Sequence, residues 1–409
     1  MSTLNPCFRV HIPLQLRAHE PHNIGSLEHY SDAARDKVVT DRYSDECYLP
    51  VNKIIAGAIE KTGGKFKVTY SISGATLELL MTYRPDVIES FRQLLDTGCV
   101  ALLAETYHNS LSWLYSKATF RRQVKMHSDL VKDLFDYTPS VFRNTGLIHD
   151  NALASFMDGL GYKGILCEGV ETILGDRSPN QVYTAPGNDD FGLLLRNASL
   201  SDDIAFRFDD AAWNEQPLTA EKYASWIHSH KDDCNITLFL DYETFGIHKK
   251  QQTGILEFLE HLPAAVLNDD NWQFCLPSEV LERNAPKAVY DVPKTISWKG
   301  REMEYCVWSE NMMQNNMLKK IYSLENIVLS RNDDHTWRKW SYLQAVDHFY
   351  SMSEAGQLSI TGSSTEHIFK DAVAAYKNYV NTITDFELKL IKRELAISVR
   401  QQTGNLSIY

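Results

Sequence analysis

Residues 237–246 read TLFLDYETFG, an apolar run that ends in two acids, Asp241 and Glu243, with aromatics between and beside them. Other apolar, strand-like runs end in the same way. CFRVHIP delivers His11, VALLAETYH delivers Glu105 with Tyr107 and His108 beyond it, and GILCEGVE delivers Glu168. A carboxylate among apolar side chains is costly to bury unless it is paired, so acids recurring at one end of several strands point to a shared use. A pair of carboxyl groups about 5–5.5 Å apart, one nucleophile and one acid/base, is what hydrolysis of a glycosidic bond with retention requires. Glu168 and Asp241 meet that requirement in kind. Alternation along a strand predicts Glu243 on the same face as Asp241, where it would tune that acid's ionisation or bond a sugar hydroxyl.

Taken singly, each residue has a plainer reading. His11 is a structural histidine on generic grounds. Glu168, before a glycine, is a loop acid satisfied by backbone amides, and Asp241 caps the following segment. Cys167 is an inert core thiol. His19 and His22 in HEPHN have metal-like spacing but no third ligand nearby. Trp213, Trp308 and Trp337 could stack on sugar rings, although single tryptophans more often belong to the core. Only the combination of acids at strand ends shifts these readings.

The elements that must position these residues alternate. Strand-like runs at 7–13, 65–73, 100–106, 141–148, 164–169, 238–243 and 272–277 are separated by helical patterns such as PDVIESFRQLLDTG, NALASFMDGLG and GILEFLEHLPAAVLND. Short apolar strands alternating with helices imply parallel βαβ units. About seven units in roughly 280 residues favour a barrel over an open sheet, and in such a barrel the functional side chains stand where strands end. No GxGxxG or GxxxxGK[ST] string supports a nucleotide-binding sheet. After NAPKAVYDVP (284–293) the pattern changes, and residues 310–350 and 363–400 carry helical periodicity. The expected division is a barrel over 1–285 and a helical domain over 286–409 contributing to the active-site cleft.

Composition narrows the function class. The chain has 409 residues, 44% hydrophobic and 23% charged, with a formal charge of −12, ordinary figures for a globular protein with a sizeable core. The acidic balance argues against a nucleic-acid partner, which wants clustered Lys and Arg, but not against a neutral glycan. No apolar run reaches the 18 residues of a membrane span, and the first residues lack the pattern of a secretory signal. The seven cysteines form no CxxC pair, so neither a zinc ribbon nor a disulfide framework is suggested. The expectation is a cytoplasmic protein without a membrane partner, its oligomeric state unspecified.

LFLDYETFGIH closely resembles the fourth signature region of glycoside hydrolase family 57, the family of α-amylases, 4-α-glucanotransferases and branching enzymes. GYKGILCEGVE resembles the third region, FRVHIP the first, TGCVALLAETYHNSL the second, and ISWKGREMEYCVWSENMMQNNMLKKIYSLE the fifth, with Trp308, Asn311, Met313 and Gln314 at family positions. The resemblance implies an incomplete (β/α)7 barrel followed by a helical C-terminal region, acting on α-glucans with retention and needing no metal or cofactor. It implies Glu168 as nucleophile and Asp241 as acid/base. The expected sugar-contacting set is His11, Glu105, Glu243, Phe245, His248 and Trp308. The chain departs from the family pattern at Ile12, Ala101, His108–Asn109 and Gly300, and at Gly146 in place of an acid. Such losses would redirect specificity, or mark a glycan-binding protein that no longer cuts. A metal-dependent hydrolase of a related barrel type, such as a polysaccharide deacetylase, rests on the HEPHN spacing alone.

Overall fold

The structure is a computed structural model that describes residues 1–231, 233–298, 307–353 and 369–405, with side chains through 393. Gly300, the 299–306 part of the fifth matched region and the 363–368 start of the second helical pattern lie outside the described residues. The chain divides into two compact units. One gathers Met1–Ile12, Lys37–Asn109 and Ala118–Met303; the other gathers Pro13–Asp36, Ser110–Lys117 and Glu304–Tyr409. A single cut at 285 does not provide for the two early segments of the second unit.

Ten strands occur among the described residues of the first unit: β1 (Ser2–Val10), β2 (Val68–Ile72), β3 (Val100–Leu102), β4 (Val141–Arg143), β5 (Gly164–Glu168), β6 (Val182–Ala185), β7 (Asn188–Arg196), β8 (Asn235–Asp241), β9 (Trp272–Phe274) and β10 (Ala288–Val289). Seven close a parallel ring. β1 pairs with β8 along one edge, from Thr3–Asn235 to Arg9–Asp241, and with β2 along the other. β2 continues to β3, β4 to β5 and β5 to β7. Two seams are thin: β3 joins β4 through an Ala104–Phe142 bridge, and β7 joins β8 through Arg196–Thr237. The fold is thus an incomplete (β/α)7 barrel, as the resemblance implies.

Membership of the ring differs from the expected set at one strand. Residues 272–274 pair only with Ser2–Leu4, sharing the β1 edge that β2 occupies higher up. The missing ring strand is β7, whose FGLLLR half is buried while its Asp189–Asp190 start is exposed. That charged start gives the segment the texture of a loop. β7 makes an antiparallel pair with β6, an arrangement that parallel units do not predict.

The helices follow the expected local chemistry. Asp150 caps the 151–158 helix by accepting from the Leu153 amide, and Ser73 caps 74–83 by accepting from Thr76. Pro85 opens the 85–96 helix, and Gly98 lies just past it at φ +70°. The main apolar cluster lies between the ring and the helices and includes Phe8, Tyr48, Phe91, Tyr242 and Phe258. The C-terminal part of the second unit carries helices at 312–323, 325–330, 334–342, 346–350 and 372–405 among the described residues. Tyr379 donates to the Leu343 carbonyl at 2.6 Å and Trp340 to that of Ile321 at 2.8 Å, so the buried polar tips of these aromatics are satisfied.

One glycine shapes the loop beyond β8. Gly246 has φ +120°, and a Cβ there would lie 2.1 Å from the Glu46 carbonyl oxygen. Its amide donates to the Lys249 carbonyl at 2.9 Å, closing the 246–249 turn. Gly246→Ala is expected to lower stability by about 2–4 kcal/mol, because backbone on both sides of the clash must move. Urea unfolding measures this, and a loss under about 0.5 kcal/mol, the scatter of ordinary surface changes, would contradict it.

Candidate active site

Inward-facing side chains can be followed up the ring two residues at a time. Cys7, Leu103, Val141, Leu166 and Phe239 form one apolar cluster inside the barrel. Two residues further along each strand stand Arg9, Glu105, Arg143, Glu168 and Asp241. The layer above the apolar plug is therefore charged, and it is neutralised pair by pair. Arg9 Nη1 donates to Asp241 Oδ1 at 2.8 Å, Arg143 Nη2 to Glu105 Oε2 at 2.8 Å, and Arg196 Nη1 to Glu168 Oε1 at 3.3 Å. In the first and third pairs the partners are directly opposite in strand register.

The pairs differ in exposure. Glu168 and Arg196 side chains are each 2% exposed, whereas Asp241 is 40% and Arg9 29% exposed. Arg196 is a junction: its Nε donates to the Phe239 carbonyl at 2.8 Å, and its second terminal nitrogen bonds Asp202. One guanidinium therefore ties the Glu168 carboxylate to β8, the strand that ends in Asp241. Glu105 is also fully engaged, accepting from the Ser71 hydroxyl at 2.9 Å as well as from Arg143. Burial pulls the Arg143 proton affinity down, and Glu105 restores part of it.

Asp241 and Glu243 do not share a strand face as alternation predicts. β8 ends at Asp241, and 242–244 wind into a short 3-10 turn that sends Tyr242 into the core. Glu243 is buried, accepting from the His11 amide at 2.9 Å and the Tyr48 hydroxyl at 2.6 Å. Burial, and then the negative charge of Asp241, push its carboxyl up to about 7. Asp241 moves the opposite way. Burial resists its ionisation, but Arg9, His248 and His11 outweigh that and hold it below the ordinary carboxylate value.

The rest of the expected set is dispersed. His11 is buried, with Nδ1 at 2.9 Å from the Ser73 hydroxyl. Phe245, expected to touch sugar, is 1% exposed and stands edge-on to Phe8 in the main apolar core. It does not line the mouth, because the turn after Asp241 rotates it inward. His248 is exposed and near enough to Asp241 to lower its proton affinity. Trp308 belongs to the second unit, half-buried in the turn before the 312–323 helix. Trp337 is a core residue, and Trp213 packs against Trp226. Burial pushes the Cys167 thiol far up, as an inert core residue requires. Among the described residues no group of three or more His, Cys, Asp or Glu could hold a metal ion, and the His19 ring lies beside Thr382 and Tyr30. Of the departures, Gly146 sits at φ +58°, a left-handed position that an acid would strain, and the Ile12 amide donates to Thr76.

The sequence reading missed the three arginines. The signal was present: Arg9, Arg143 and Arg196 each end or nearly end an apolar strand, as the acids do.

The model of glycosyl hydrolase family 57 matches residues 7–293. The chain belongs to glycosyl hydrolase family 57. A protein of Methanocaldococcus jannaschii that carries a provisional alpha-amylase name is 36% identical over 403 residues, covering 96% of this chain and 85% of the relative. The fold is similar to that of 4-alpha-glucanotransferase from Thermococcus litoralis, with a TM-score of 0.67 at 15% identity over 93% of this chain. The present chain spans 60% of that enzyme's length. A family 57 branching enzyme from Thermococcus kodakaraensis is similar with a TM-score of 0.68 at 13% identity, over 94% of this chain and 89% of its own. These two likenesses concern the fold. No helix among the described residues of this family member is long and apolar enough to cross a membrane.

The raised Glu243 carboxyl has a consequence for stability. Between its ordinary value of 4.5 and its folded value of about 7, the folded chain keeps a proton that the unfolded chain has lost. Stability from this group therefore falls as pH rises through that window and is level outside it. Glu243→Gln cannot titrate and is expected to flatten the profile, by on the order of 3 kcal/mol across the window. Urea midpoints from pH 4 to 8 test this; parallel profiles for the two proteins would contradict it.

Proposed function

We propose that the chain is a retaining glycosidase acting on α-linked glucans, with Glu168 as nucleophile and Asp241 as general acid/base. The observation that carries this reading is the unequal treatment of two carboxylates on neighbouring parts of one ring. Glu168 is buried and held by Arg196, which also grips the strand of Asp241. Asp241 is half-open, and its partner Arg9 is reachable by solvent. A nucleophile benefits from being fixed, because a small misplacement of the attacking atom is costly. An acid/base must change partners twice per turnover. The family's α-amylase and glucanotransferase names support an α-glucan as substrate.

The steps follow from this arrangement. A Glu168 carboxylate oxygen attacks the anomeric carbon as the bond to the departing oxygen breaks. Asp241 supplies the proton that oxygen takes up. Water or a sugar hydroxyl then gives its proton to Asp241 and attacks the same carbon, releasing Glu168 as carboxylate. Two displacements leave the configuration retained. In the free protein Arg9 favours the ionised form of Asp241, so glycan binding has to loosen that pair. Excluding water and displacing Arg9 both raise the Asp241 proton affinity toward what an acid needs. Arg196 pairs with Glu168 and holds it in place.

Removing each carboxyl separates the roles. On maltoheptaose, Glu168→Ala and Asp241→Ala are each expected to lose turnover by about a thousandfold or more, read by mass spectrometry of the products. On α-glucosyl fluoride, whose leaving fluoride needs no proton, Asp241→Ala is expected to form the covalent intermediate far faster than on maltoheptaose, while Glu168→Ala stays inactive. Unimpaired maltoheptaose turnover in either variant would sink the assignment.

A further inference from the structure

We propose that Phe206 and Trp298 form an aromatic platform that holds a glucosyl ring on the leaving-group side of the cleaved bond. This deepens the reading of the chain as an α-glucan enzyme and rests on it. Phe206 is 45% exposed, the most exposed phenylalanine or tryptophan among the described residues. Its ring lies 5.8 Å from that of Trp298 at an interplanar angle of 38°. Trp298 is half-buried and packs against the apolar cluster that lies directly beneath the charged layer. Two residues earlier, Ile296 pairs with His149, beyond the end of β4. The pair therefore belongs to the end of the ring where the carboxylates stand.

Its position within that end is fixed by β8 and the loop after it. The segment 198–207 leaves β7 and anchors to β8, with the Phe239 amide donating to the Ser201 hydroxyl at 3.1 Å. Lys249, in the loop that begins at Asp241, donates to the Phe206 carbonyl at 3.2 Å and pairs with Asp209. His248, beside Lys249, acts electrostatically on Asp241. Phe206 is thus tied to the loop that follows Asp241. The group that meets the acid/base is the departing glycan, and in the second step the acceptor.

The apolar faces of a glucose ring pack on aromatic side chains, and an exposed ring backed by a second aromatic offers a rigid surface of that kind. A ring held there presents its hydroxyl to the glucosyl–Glu168 ester. That hydroxyl gives its proton to Asp241, its oxygen bonds the anomeric carbon, and Glu168 leaves as carboxylate. An occupied platform thus directs the intermediate toward transfer rather than hydrolysis.

Product analysis and calorimetry with maltoheptaose test this on wild type, Phe206→Ala, Trp298→Ala and Phe206→Tyr. Phe206→Ala carries the test, since its exposed ring can be removed without opening the core. The expected result is about a tenfold fall in the ratio of transfer to hydrolysis and a similar weakening of maltoheptaose binding, the factor for one aromatic contact of ordinary strength. Phe206→Tyr is expected to retain both. Unchanged ratio and binding in Phe206→Ala would overturn the platform. Absence of wild-type turnover would instead remove the glycosidase reading, and the binding comparison would still decide whether the platform holds sugar.

Discussion

The barrel's mouth is governed by one constraint: carboxylates brought together at the ends of parallel strands must be compensated where little water reaches them. An isolated ionised acid in that position would be neutralised by a shifted pKa rather than tolerated. The chain answers with arginines on adjacent strands, Arg143 for Glu105, Arg196 for Glu168 and Arg9 for Asp241. Where a pair is fully buried, removing one partner would leave an uncompensated charge, a loss of about 3–5 kcal/mol. Strand register decides which residues can meet, so the ring's hydrogen bonding and its charge balance are one problem. A slip by one residue would turn each of these side chains to the other face.

The same pairing explains how similar carboxylates come to behave differently. Glu243 is buried, forms no ion pair among the described residues and sits beside the Asp241 charge, so it holds its proton up to about 7. Asp241 has Arg9 directly opposite and remains ionised well below that. Exposure then divides the paired acids. The Glu168 pair is enclosed, while the Asp241 pair opens to solvent and can exchange partners. The proposed division of labour between nucleophile and acid/base follows from these environments. A set of paired charges also suits an uncharged glycan, which is bound without a counter-charge.

Much of this was legible in the sequence, and the reasons for the exceptions are physical. Periodicity and strand-end acids disclosed the barrel, because alternation of short apolar runs with helices is a local property. β7 escaped because its acidic start masks the FGLLLR run, and 272–274 looked like a ring strand because its apolar character is real although its pairing is peripheral. The arginines escaped because only strand register reveals that Asp241 and Glu168 each have a cation opposite. The shared face expected for Asp241 and Glu243 fails because a strand that stops at Asp241 and turns no longer alternates, so Phe245 enters the core and Glu243 a hydrogen-bonded niche. Phe206 and Trp298 lie far apart in sequence, and no local pattern marks them as neighbours.

The most direct test of the account is to trap the glycosyl-enzyme with 5-fluoro-α-glucosyl fluoride, which slows breakdown of the intermediate, and to map the modified peptide by mass spectrometry. The account predicts one added fluoroglucosyl group, esterified to Glu168 in the peptide that contains GILCEGVE. A label on any other carboxylate, or turnover that releases product of inverted configuration with no covalent adduct, would contradict it.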